Sequence, residues 1–591
     1  MRVIKTKDRS KLIQAAMGKI PCDLTIGNVQ FLNVITGEIY PASVDILDGF
    51  VVLVREEGQE PALPAKKYYD GCGRYLIPGF IDTHVHVEST MMIPENLSRA
   101  ILPWGTTTIC TDPHEIGNVM GVEGVEFMLA NAKKSKLRQY VLAPSCVPSV
   151  PGLENAGAEF GAAEIGRLLD MDNVVGIAEI MDYVGVINDT ERMHSIIEEG
   201  VKRGMFLQGH APDCTGKELA AYLIGGPVSD HESVSEDEVR AKLRAGMHIN
   251  LRASSLIDSL SFLVDGCKDM PWRDFVSVCT DDVHAKDLLT VGHINKVVGK
   301  AIAAGLDGKE VIKLATLNAA REYGFADLGA IAPGYIADIQ LVDALDGSRP
   351  KAVFVEGELV AEDGKYLGGD SMGAVYDLPN TVNIPQLSGS DSFRLRVPEG
   401  YSGSTVTVNV MTPVPGSRIL RHVVPTELPV KDGAVDISGD ASLCFVCCAN
   451  RYGLGSKTIA VYRNFGLLTG ALASTISHDS HNLTVCYRSA DDAWLAAETL
   501  RNCGGGVCAA NNGSETHIEL PAAGLMSQKP CAEVAQDIAE VQKAVDVISG
   551  GALTLLASAI IALPVLPSVV ITDMGLVDGT TQSFVPVFAD M

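Results

Sequence analysis

The sequence predicts an α/β protein: a TIM-like (β/α)8 barrel inserted in a small β-sandwich and followed by an α/β C-terminal domain. Three observations support this prediction. The 591 residues are too many for one hydrophobic core. Short β-type apolar runs occur before about residue 75 and again after about residue 325. Between these positions the sequence shows repeated strand–helix units. A Pro/Gly/Ser-rich junction at 383–392 then precedes a region of mixed strands and helices.

The β-sandwich is predicted from residues 1–75 together with residues 325–380. In both segments short apolar runs, such as Val44–Gly49, alternate with turn residues. A short amphipathic helix is expected before them, with Leu12 and Ala15 on its apolar face. The barrel would therefore lie between the two halves of one small domain.

The barrel is predicted from residues 76–324. In this stretch apolar strand patterns alternate with helical patterns such as 124–134 and 190–203. Repeated strand–helix units of this kind favour a closed parallel barrel over an open sheet. The carboxyl ends of barrel strands converge on one face, so polar residues far apart in sequence can form one site there.

Residues 385–591 are predicted to form the α/β C-terminal domain. Strand patterns such as 404–410 and 482–487 are mixed with helical patterns such as 531–547. The most apolar stretch, Leu553–Val570, contains two prolines and is short for a bilayer span. We therefore expect a buried helix that runs into a strand, and no membrane segment.

The charge and the cysteine content restrict the class of partner. The chain has 73 acidic and 47 basic residues, for a formal net charge of −26. This balance repels polyphosphates, so nucleic acids and anionic membranes are not expected partners. The 14 cysteines are scattered, which is typical of reduced thiols in a cytoplasmic protein. No continuous apolar run follows the basic N-terminus, so we expect no secretory signal.

Potential metal ligands follow successive predicted strands of the barrel. In chain order they are His84, His86, Glu179, His210, His231 and Asp281. Strand alternation places His84 and His86 on the same face, as a chelating pair requires. One histidine at a strand end is more often structural, but six such residues in strand order are difficult to attribute to chance. Four imidazoles and two carboxylates suit two divalent first-row cations, with one carboxylate bridging them.

These motifs resemble the amidohydrolase superfamily and, within it, the adenine deaminases of the bacterial and archaeal type. The wider superfamily motifs are Pro78–His86 and Gly329–Asp338. The narrower motifs are His84–Ser89, Asp112–Asn118, Ala178–Met181, Gly209–Pro212, Ser229–Glu232, Cys279–Asp282, His478–Asn482 and Gly504–Gly506. The resemblance covers nearly the whole chain. Glu179 stands where many relatives carry a carboxylated lysine, as it does in adenine deaminases.

The resemblance implies hydrolytic deamination of adenine to hypoxanthine and ammonia by a metal-activated hydroxide, in purine salvage or adenine catabolism. It implies one metal bound by His84, His86 and Asp281, a second bound by His210 and His231, and Glu179 as the bridge. We expect two divalent metal ions per subunit, with manganese as the first choice and iron or zinc as alternatives. A cytoplasmic homo-oligomer that binds the purine base is also implied.

Two carboxylates are predicted to move protons. Asp281 would take a proton from the attacking water and pass it to the leaving amine. Glu88, two residues after His86 and on the same side if the strand continues, is the first candidate to protonate the purine ring. Support of a histidine ring is an almost equally favoured role for Glu88. The candidate substrate-binding residues, which could equally support the metal ligands, are Ser89, Asp112, His114 and Glu115.

Some alternatives remain open at this stage. His478 and His481 could form a second metal site, reach into the barrel mouth, or make a hydrogen-bonded turn at a domain or subunit contact, and the contact is favoured. Another two-metal amidohydrolase, acting on a different base or on a cyclic amide, is the second enzymatic hypothesis. A non-catalytic scaffold is disfavoured because every expected ligand position is filled.

Overall fold

The computed structural model describes residues 9–58, 62–255, 258–369, 376–417 and 419–589. The chain begins with helix α1 (Arg9–Ala16), where the amphipathic pattern predicted a helix; residues 1–8 lie outside the described residues. The strands that follow are β1 (Cys22–Asn33), β2 (Glu38–Leu47), β3 (Phe50–Glu56), β4 (Ala65–Asp70) and β5 (Tyr75–Pro78).

The next nine strands form a closed parallel barrel. They are β6 (Phe80–His86), β7 (Thr106–Thr111), β8 (Arg138–Ala143), β9 (Val174–Ile180), β10 (Phe206–Gly209), β11 (Ser229–Asp230), β12 (His248–Arg252), β13 (Val276–Cys279) and β14 (Asp281–Asp282). The last two are one strand interrupted at Thr280, and β14 pairs in parallel with β6 to close the barrel. Between β10 and β11, the N–H of Val228 donates to the carbonyl of Leu207 at 3.0 Å. The predicted (β/α)8 barrel is therefore confirmed.

Helices surround the barrel strands. They are α2 (Pro94–Ile101), α3 (His114–Ala132), α4 (Ala162–Leu169), α5 (Tyr183–Ile187), α6 (Glu191–Arg203), α7 (Gly216–Ile224), α8 (Glu236–Arg244), α9 (Leu260–Cys267), α10 (Ala285–Thr290), α11 (Ile294–Ala303), α12 (Gly308–Lys313) and α13 (Ala319–Glu322). Helix α6 illustrates why they pack: it buries Met193, Ile196, Ile197 and Gly200, which share one helical face. Gly204, at φ 62°, ends this helix in the left-handed conformation.

Strands from both sides of the barrel share a second sheet. After the barrel come β15 (Ile339–Val342), β16 (Ala352–Val355), β17 (Glu358–Glu362) and β18 (Lys365–Tyr366). The sheet order is β18-β17-β16-β15-β5-β1-β2-β3, with β4 beside β1. The sheet folds over on itself, since Phe50 pairs with Ile336 and the Tyr69 ring packs edge-on against Phe354. Its core lies between the two layers, as in a sandwich.

The C-terminal region contains a nine-stranded sheet, a small three-stranded sheet and two long helices. The strands are β19 (Thr405–Pro413), β20 (Arg421–Lys431), β21 (Ala434–Val435), β22 (Leu443–Ala449), β23 (Lys457–Arg463), β24 (Ala471–Ser474), β25 (Leu483–Tyr487), β26 (Gly506–Asn511), β27 (Ser514–Glu519), β28 (Val569–Ile571), β29 (Leu576–Asp578) and β30 (Ser583–Val585). The helices are α14 (Ala490–Cys503) and α15 (Cys531–Ser549). The order of the large sheet is β21-β20-β19-β23-β22-β25-β24-β26-β27.

Alternation along β22 assigns the two faces of this large sheet. Cys447 and Ala449 pack in a cluster with α14, whereas Val446 and Cys448 pack in a cluster that includes α15 and barrel residues such as Leu288. The C-terminal sheet is therefore joined to the barrel by a shared hydrophobic core. This arrangement brings C-terminal loops to the carboxyl face of the barrel.

The most apolar segment was predicted to contain a buried helix, and no membrane-spanning segment was expected. No helix among the described residues is long and apolar enough to cross a membrane. The helix expected within Leu553–Val570 is absent, because turns occupy residues 555–562 and only the end of the segment forms a strand, β28. Pro564 and Pro567 lack the N–H that a helix requires at these positions.

All 14 cysteines are free.

Candidate metal centre and barrel mouth

The six predicted ligands lie together at the carboxyl ends of the barrel strands. His84 and His86 end β6, Glu179 lies near the end of β9, and Asp281 begins β14. His210 and His231 each follow directly after a strand, β10 and β11 respectively. Parallel strands that end at one face explain this convergence.

One oxygen of Asp281 faces two of these imidazoles. Its Oδ1 lies 3.5 Å from His84 Nε2 and 3.3 Å from His86 Nε2. His86 Nε2 also lies 3.4 Å from Glu179 Oε1. Ligand atoms about 2.1 Å from a tetrahedral cation are separated by about 3.4 Å. These spacings are those of a first-row cation site.

The second oxygen of Glu179 faces the other two imidazoles. Its Oε2 lies 2.5 Å from His210 Nδ1 and 3.2 Å from His231 Nε2. The two oxygens of Glu179 therefore face different proposed ligands: Oε1 faces His86, and Oε2 faces His210 and His231. A carboxylate that bridges two cations requires such a division of its oxygens.

The hydrogen bonds of two rings test whether these residues fit a metal. His84 Nδ1 lies 2.9 Å from Gln208 Oε1, and His86 Nδ1 lies 3.1 Å from the carbonyl of Asp112. Both oxygens only accept, so each Nδ1 carries the proton and each Nε2 presents a lone pair. His84 Nε2 is buried and has no hydrogen-bond partner among the described residues. The lone pairs therefore face carboxylates without a donor between them, which a divalent cation would resolve.

Arg252 stabilises the charged form of Asp281. Burial by itself would raise the pKa of Asp281, but Arg252 and the two histidines hold that pKa well below its usual value. The Arg252 guanidinium lies 2.8 Å from Asp281 Oδ2, which leaves Oδ1 to face the histidines. Asp281 also has a backbone φ of 61°, a conformation that non-glycine residues adopt rarely.

Two residues of the site, Arg252 and Gln208, were not predicted from the sequence. Arg252 ends β12, the one strand of the second half of the barrel to which no ligand was assigned. Gln208 lies two residues before His210 on β10, and its amide also donates to the carbonyl of Thr83 at 3.2 Å. In both cases the sequence signal that could have identified the residue is a polar side chain at or near the end of a predicted barrel strand.

Glu88 lies beside the candidate metal centre, but not because the strand continues past His86, as was predicted. Strand β6 ends at His86, and Glu88 begins a buried 3-10 helix, Glu88–Thr90, so strand alternation does not orient it. Its Oε1 accepts the N–H of Ile116 at 3.2 Å, whereas its Oε2 is buried without a partner among the described residues. Burial and the nearby Glu115 carboxylate raise the pKa of Glu88 to about 8.

Ser89 connects two further carboxylates. Its hydroxyl lies 3.1 Å from Glu115 Oε1 and also approaches Asp282 Oδ1 closely. A hydroxyl has one proton to donate, so only one of the two carboxylates can receive it at a time. Burial raises the pKa of Glu115. Ser89 and Glu115 thus belong to one buried polar network.

Asp112 and His114 follow β7 and extend the site outward. His114 Nδ1 lies 3.1 Å from Asp112 Oδ2 and 3.5 Å from Glu179 Oε1. His114 Nε2 lies 3.5 Å from Asp479 Oδ1, which belongs to the C-terminal region. Burial would lower the pKa of His114, but Asp112 and Asp479 raise it well above its usual value. All four predicted substrate-binding residues lie at the barrel mouth.

The loop that carries His478 and His481 reaches this mouth. His481 Nε2 lies 3.7 Å from Glu115 Oε2. Potential metal-ligand atoms of His478, Glu115 and His481 lie within 4.8 Å of one another. Those of His478, His114 and Asp479 do so as well. The loop therefore makes a domain contact and reaches the barrel mouth at the same time.

Two family models match the chain. The amidohydrolase family matches residues 75–360, and the adenine deaminase C-terminal domain matches residues 418–583. The first covers the barrel together with β5 before it and β15 and β16 after it. The second covers most of the C-terminal sheet and the loop that reaches the barrel mouth.

Curated relatives match over nearly the full length. Adenine deaminase 2 of Carboxydothermus hydrogenoformans is 37% identical, covering 98% of this chain and 99% of the relative. Adenine deaminase of Moorella thermoacetica is 36% identical over 96% of both chains. Adenine deaminase of Klebsiella pneumoniae is 38% identical over 90% of this chain and 88% of the relative. A solved β-aspartyl dipeptidase from Fervidobacterium islandicum is 20% identical, covers 59% of this chain and 99% of its own, and has a TM-score of 0.45.

Proposed function

This chain belongs to the adenine deaminase family, and we propose that it hydrolyses adenine to hypoxanthine and ammonia at the barrel mouth. The observation that carries the proposal is Glu179, whose Oε1 faces His86 and whose Oε2 faces His210 and His231. Full-length similarity to curated adenine deaminases supports the substrate.

We propose that the barrel holds two divalent cations. His84, His86 and Asp281 would hold one, His210 and His231 the other, and Glu179 would bridge them. When bound, such cations lower the pKa of coordinated water to about 7 and so supply a nucleophile at neutral pH. Manganese is the proposed metal, with iron or zinc as alternatives, because imidazole and carboxylate ligands accept all three.

Asp281 is proposed as the group that moves the proton. Its Oδ2 is held by Arg252, so the carboxylate keeps its orientation while Oδ1 faces the reaction centre. As a carboxylate it accepts the proton that the attacking water loses. It then delivers this proton to the amino group, which leaves as ammonia.

Glu88 is proposed to donate a proton to a purine ring nitrogen and to be reprotonated by the second proton that the attacking water loses. One proton of water thus ends on the ring and the other on ammonia. Burial and the nearby Glu115 carboxylate raise the pKa of Glu88 and so favour the protonated form, which can donate. Its Oε1 is anchored on the N–H of Ile116, which leaves Oε2 to face the substrate. Ser89, Asp112, His114 and Glu115 are proposed to bind the purine edge.

The metabolic role, the cellular location and the oligomeric state are also proposed. Release of hypoxanthine from adenine suits purine salvage or adenine catabolism in the cytoplasm. We propose a homo-oligomer, following the resemblance to this family.

The test is ammonia release from a panel of bases. Apoprotein loaded with manganese is assayed on adenine, adenosine, guanine, cytosine, a hydantoin and a dihydropyrimidine, with metal-free protein as the control. We expect turnover of adenine only, and only after metal loading. Activity on a cyclic amide without activity on adenine would assign the chain to a different hydrolytic reaction.

A further inference from the structure

The loop Ser477–Asn482 of the C-terminal region brings a carboxylate to the barrel mouth. Asp479 Oδ1 lies 3.5 Å from His114 Nε2, and His114 Nδ1 in turn lies 3.5 Å from Glu179 Oε1. One imidazole therefore separates Asp479 from the carboxylate at the centre of the proposed metal site. The side chain of Asp479 is only 4% exposed.

The second oxygen of this carboxylate has no partner. Asp479 Oδ2 is buried and accepts no hydrogen bond from any described residue. An unpaired buried carboxylate oxygen is costly to maintain unless a ligand supplies a donor. Glu88 Oε2 and His481 Nε2, in the same mouth, are also buried without hydrogen-bond partners among the described residues. A polar ligand in the mouth that donates a hydrogen bond to Asp479 Oδ2 would satisfy this oxygen.

The loop is held rigidly in this position. The N–H of Ser477 donates to His481 Nδ1 at 3.2 Å, and the hydroxyl of Tyr452 donates to the carbonyl of Ser480 at 2.5 Å. The amide of Asn482 donates to the carbonyl of Asn155, on the barrel, at 2.7 Å. A carboxylate on such a loop is pre-organised, so it need not be ordered when a substrate binds.

We propose that Asp479 is a specificity-determining residue that accepts the imidazole-ring N–H of the purine. This inference rests on the proposed function and deepens it. A free base such as adenine carries an N–H on its five-membered ring, whereas a 9-substituted base, including a nucleoside, carries none. A purine without this N–H would leave Asp479 Oδ2 buried and unpaired. The C-terminal domain would thereby select free bases over nucleosides.

The comparison of adenine with 9-methyladenine isolates this hydrogen bond, because the methyl group removes the ring N–H with a small change in size. The manganese-loaded enzyme is assayed on both compounds, and 9-methyladenine is also measured as a competitor of adenine. We expect the wild-type enzyme to prefer adenine by about 100-fold or more, as sites built around a substrate N–H do. Equal binding of the two compounds would overturn the proposal.

Variants at Asp479 separate recognition from support of His114. In Asp479→Ala, and less strongly in Asp479→Asn, we expect kcat/KM for adenine to fall by about 30-fold or more. The inhibition constant of 9-methyladenine should change by less than about threefold, so the preference for the free base collapses. A parallel loss for both compounds would mean that Asp479 acts only through His114 and would overturn the assignment, as would no change for either.

A matched control alters the contact that anchors the loop through Asn155 but leaves the Asp479 carboxylate in place. Asp573 accepts the backbone N–H of Asn155 at 3.0 Å and its side-chain amide at 2.7 Å. Asp573→Asn weakens this contact without touching His114 or Glu115, and it should keep the preference for adenine. Metal content and the melting temperature are measured for every variant; if Asp479→Ala fails to fold, Asp479→Asn and the wild-type comparison decide. Absence of adenine turnover in the wild-type enzyme would instead refute the proposed function.

Discussion

The ammonium of Lys242 lies 2.9 Å from the carboxylate of Asp230, and both side chains are fully buried. Lys242 also donates to the carbonyl of Ala211 at 2.7 Å, and Asp230 accepts the N–H of Ala211 at 2.9 Å. Ala211 follows His210, and Asp230 precedes His231. The buried pair therefore connects the two chain segments that carry the proposed ligands of the second metal.

Replacement of Lys242 by methionine is expected to destabilise the protein and to weaken the second metal site. The change leaves the carboxylates of Asp230 and Glu238, both buried, without their shared cation, and breaking such a buried pair typically costs about 3–5 kcal/mol. Thermal unfolding measures the stability, and metal analysis after reconstitution measures the occupancy. Lys296→Met serves as the control, since Lys296 pairs with Asp287 at 2.8 Å away from the six ligands. Unchanged stability and metal content in Lys242→Met would show that the pair does not support the site.

The effect of Lys242→Met is expected to depend on pH. Burial alone would raise the pKa of Asp230, but Lys242, His231 and the N–H of Ala211 hold that pKa below its usual value. The folded-state pKa is thus depressed, so this carboxylate stabilises the wild-type fold above its unfolded pKa of about 3.9 and loses that contribution as the pH falls. In the variant the unpaired carboxylate is relieved by protonation. Denaturant titrations should show a difference between the two proteins that narrows as the pH falls from 7 toward 4; a constant difference would contradict this account.

Asp281→Asn is expected to abolish turnover but to leave two metals bound. An amide cannot accept the proton of the attacking water, and loss of such a group costs about 10²–10⁴-fold in rate. The asparagine keeps one oxygen near His84 and His86. Steady-state kinetics and metal analysis on the same preparation provide the measurement. Near-normal activity would exclude Asp281 as the proton-transfer group.

Glu179→Gln is expected to lower the metal content, because an amide cannot bridge two cations as a carboxylate does. Glu154→Gln is the matched control: Glu154 is also a buried glutamate, but it binds Ser149 at 2.7 Å and is not one of the six ligands. We expect about one metal or fewer in Glu179→Gln and about two in the control. Two tightly bound metals in Glu179→Gln would argue against the bridging role.

Glu88→Gln separates the two roles proposed for Glu88. Glutamine can still accept the N–H of Ile116, so the local structure is kept, but it cannot release a proton to the substrate. We expect kcat to fall by about 10²-fold or more with little change in metal content or melting temperature. If kcat stays near the wild-type value, Glu88 acts as a structural support.

The sequence by itself determined the barrel, its family and the six potential ligands. His84 and His86 share a face because strand alternation is a local property of the backbone. Glu179, His210, His231 and Asp281 could be assigned to the same face because parallel barrel strands end together. None of these inferences required knowledge of how one helix or domain packs against another.

Only the tertiary structure decided the partners of these residues. Arg252 beside Asp281, Lys242 beside Asp230, and Asp479 beside His114 are contacts between separate elements of the fold. Such contacts depend on how helices and domains pack and on the side-chain rotamers that packing selects, which periodicity along the chain does not encode. The His478–Asn482 motif was visible in the sequence, but its place at the barrel mouth depends on the hydrophobic core that the C-terminal sheet shares with the barrel.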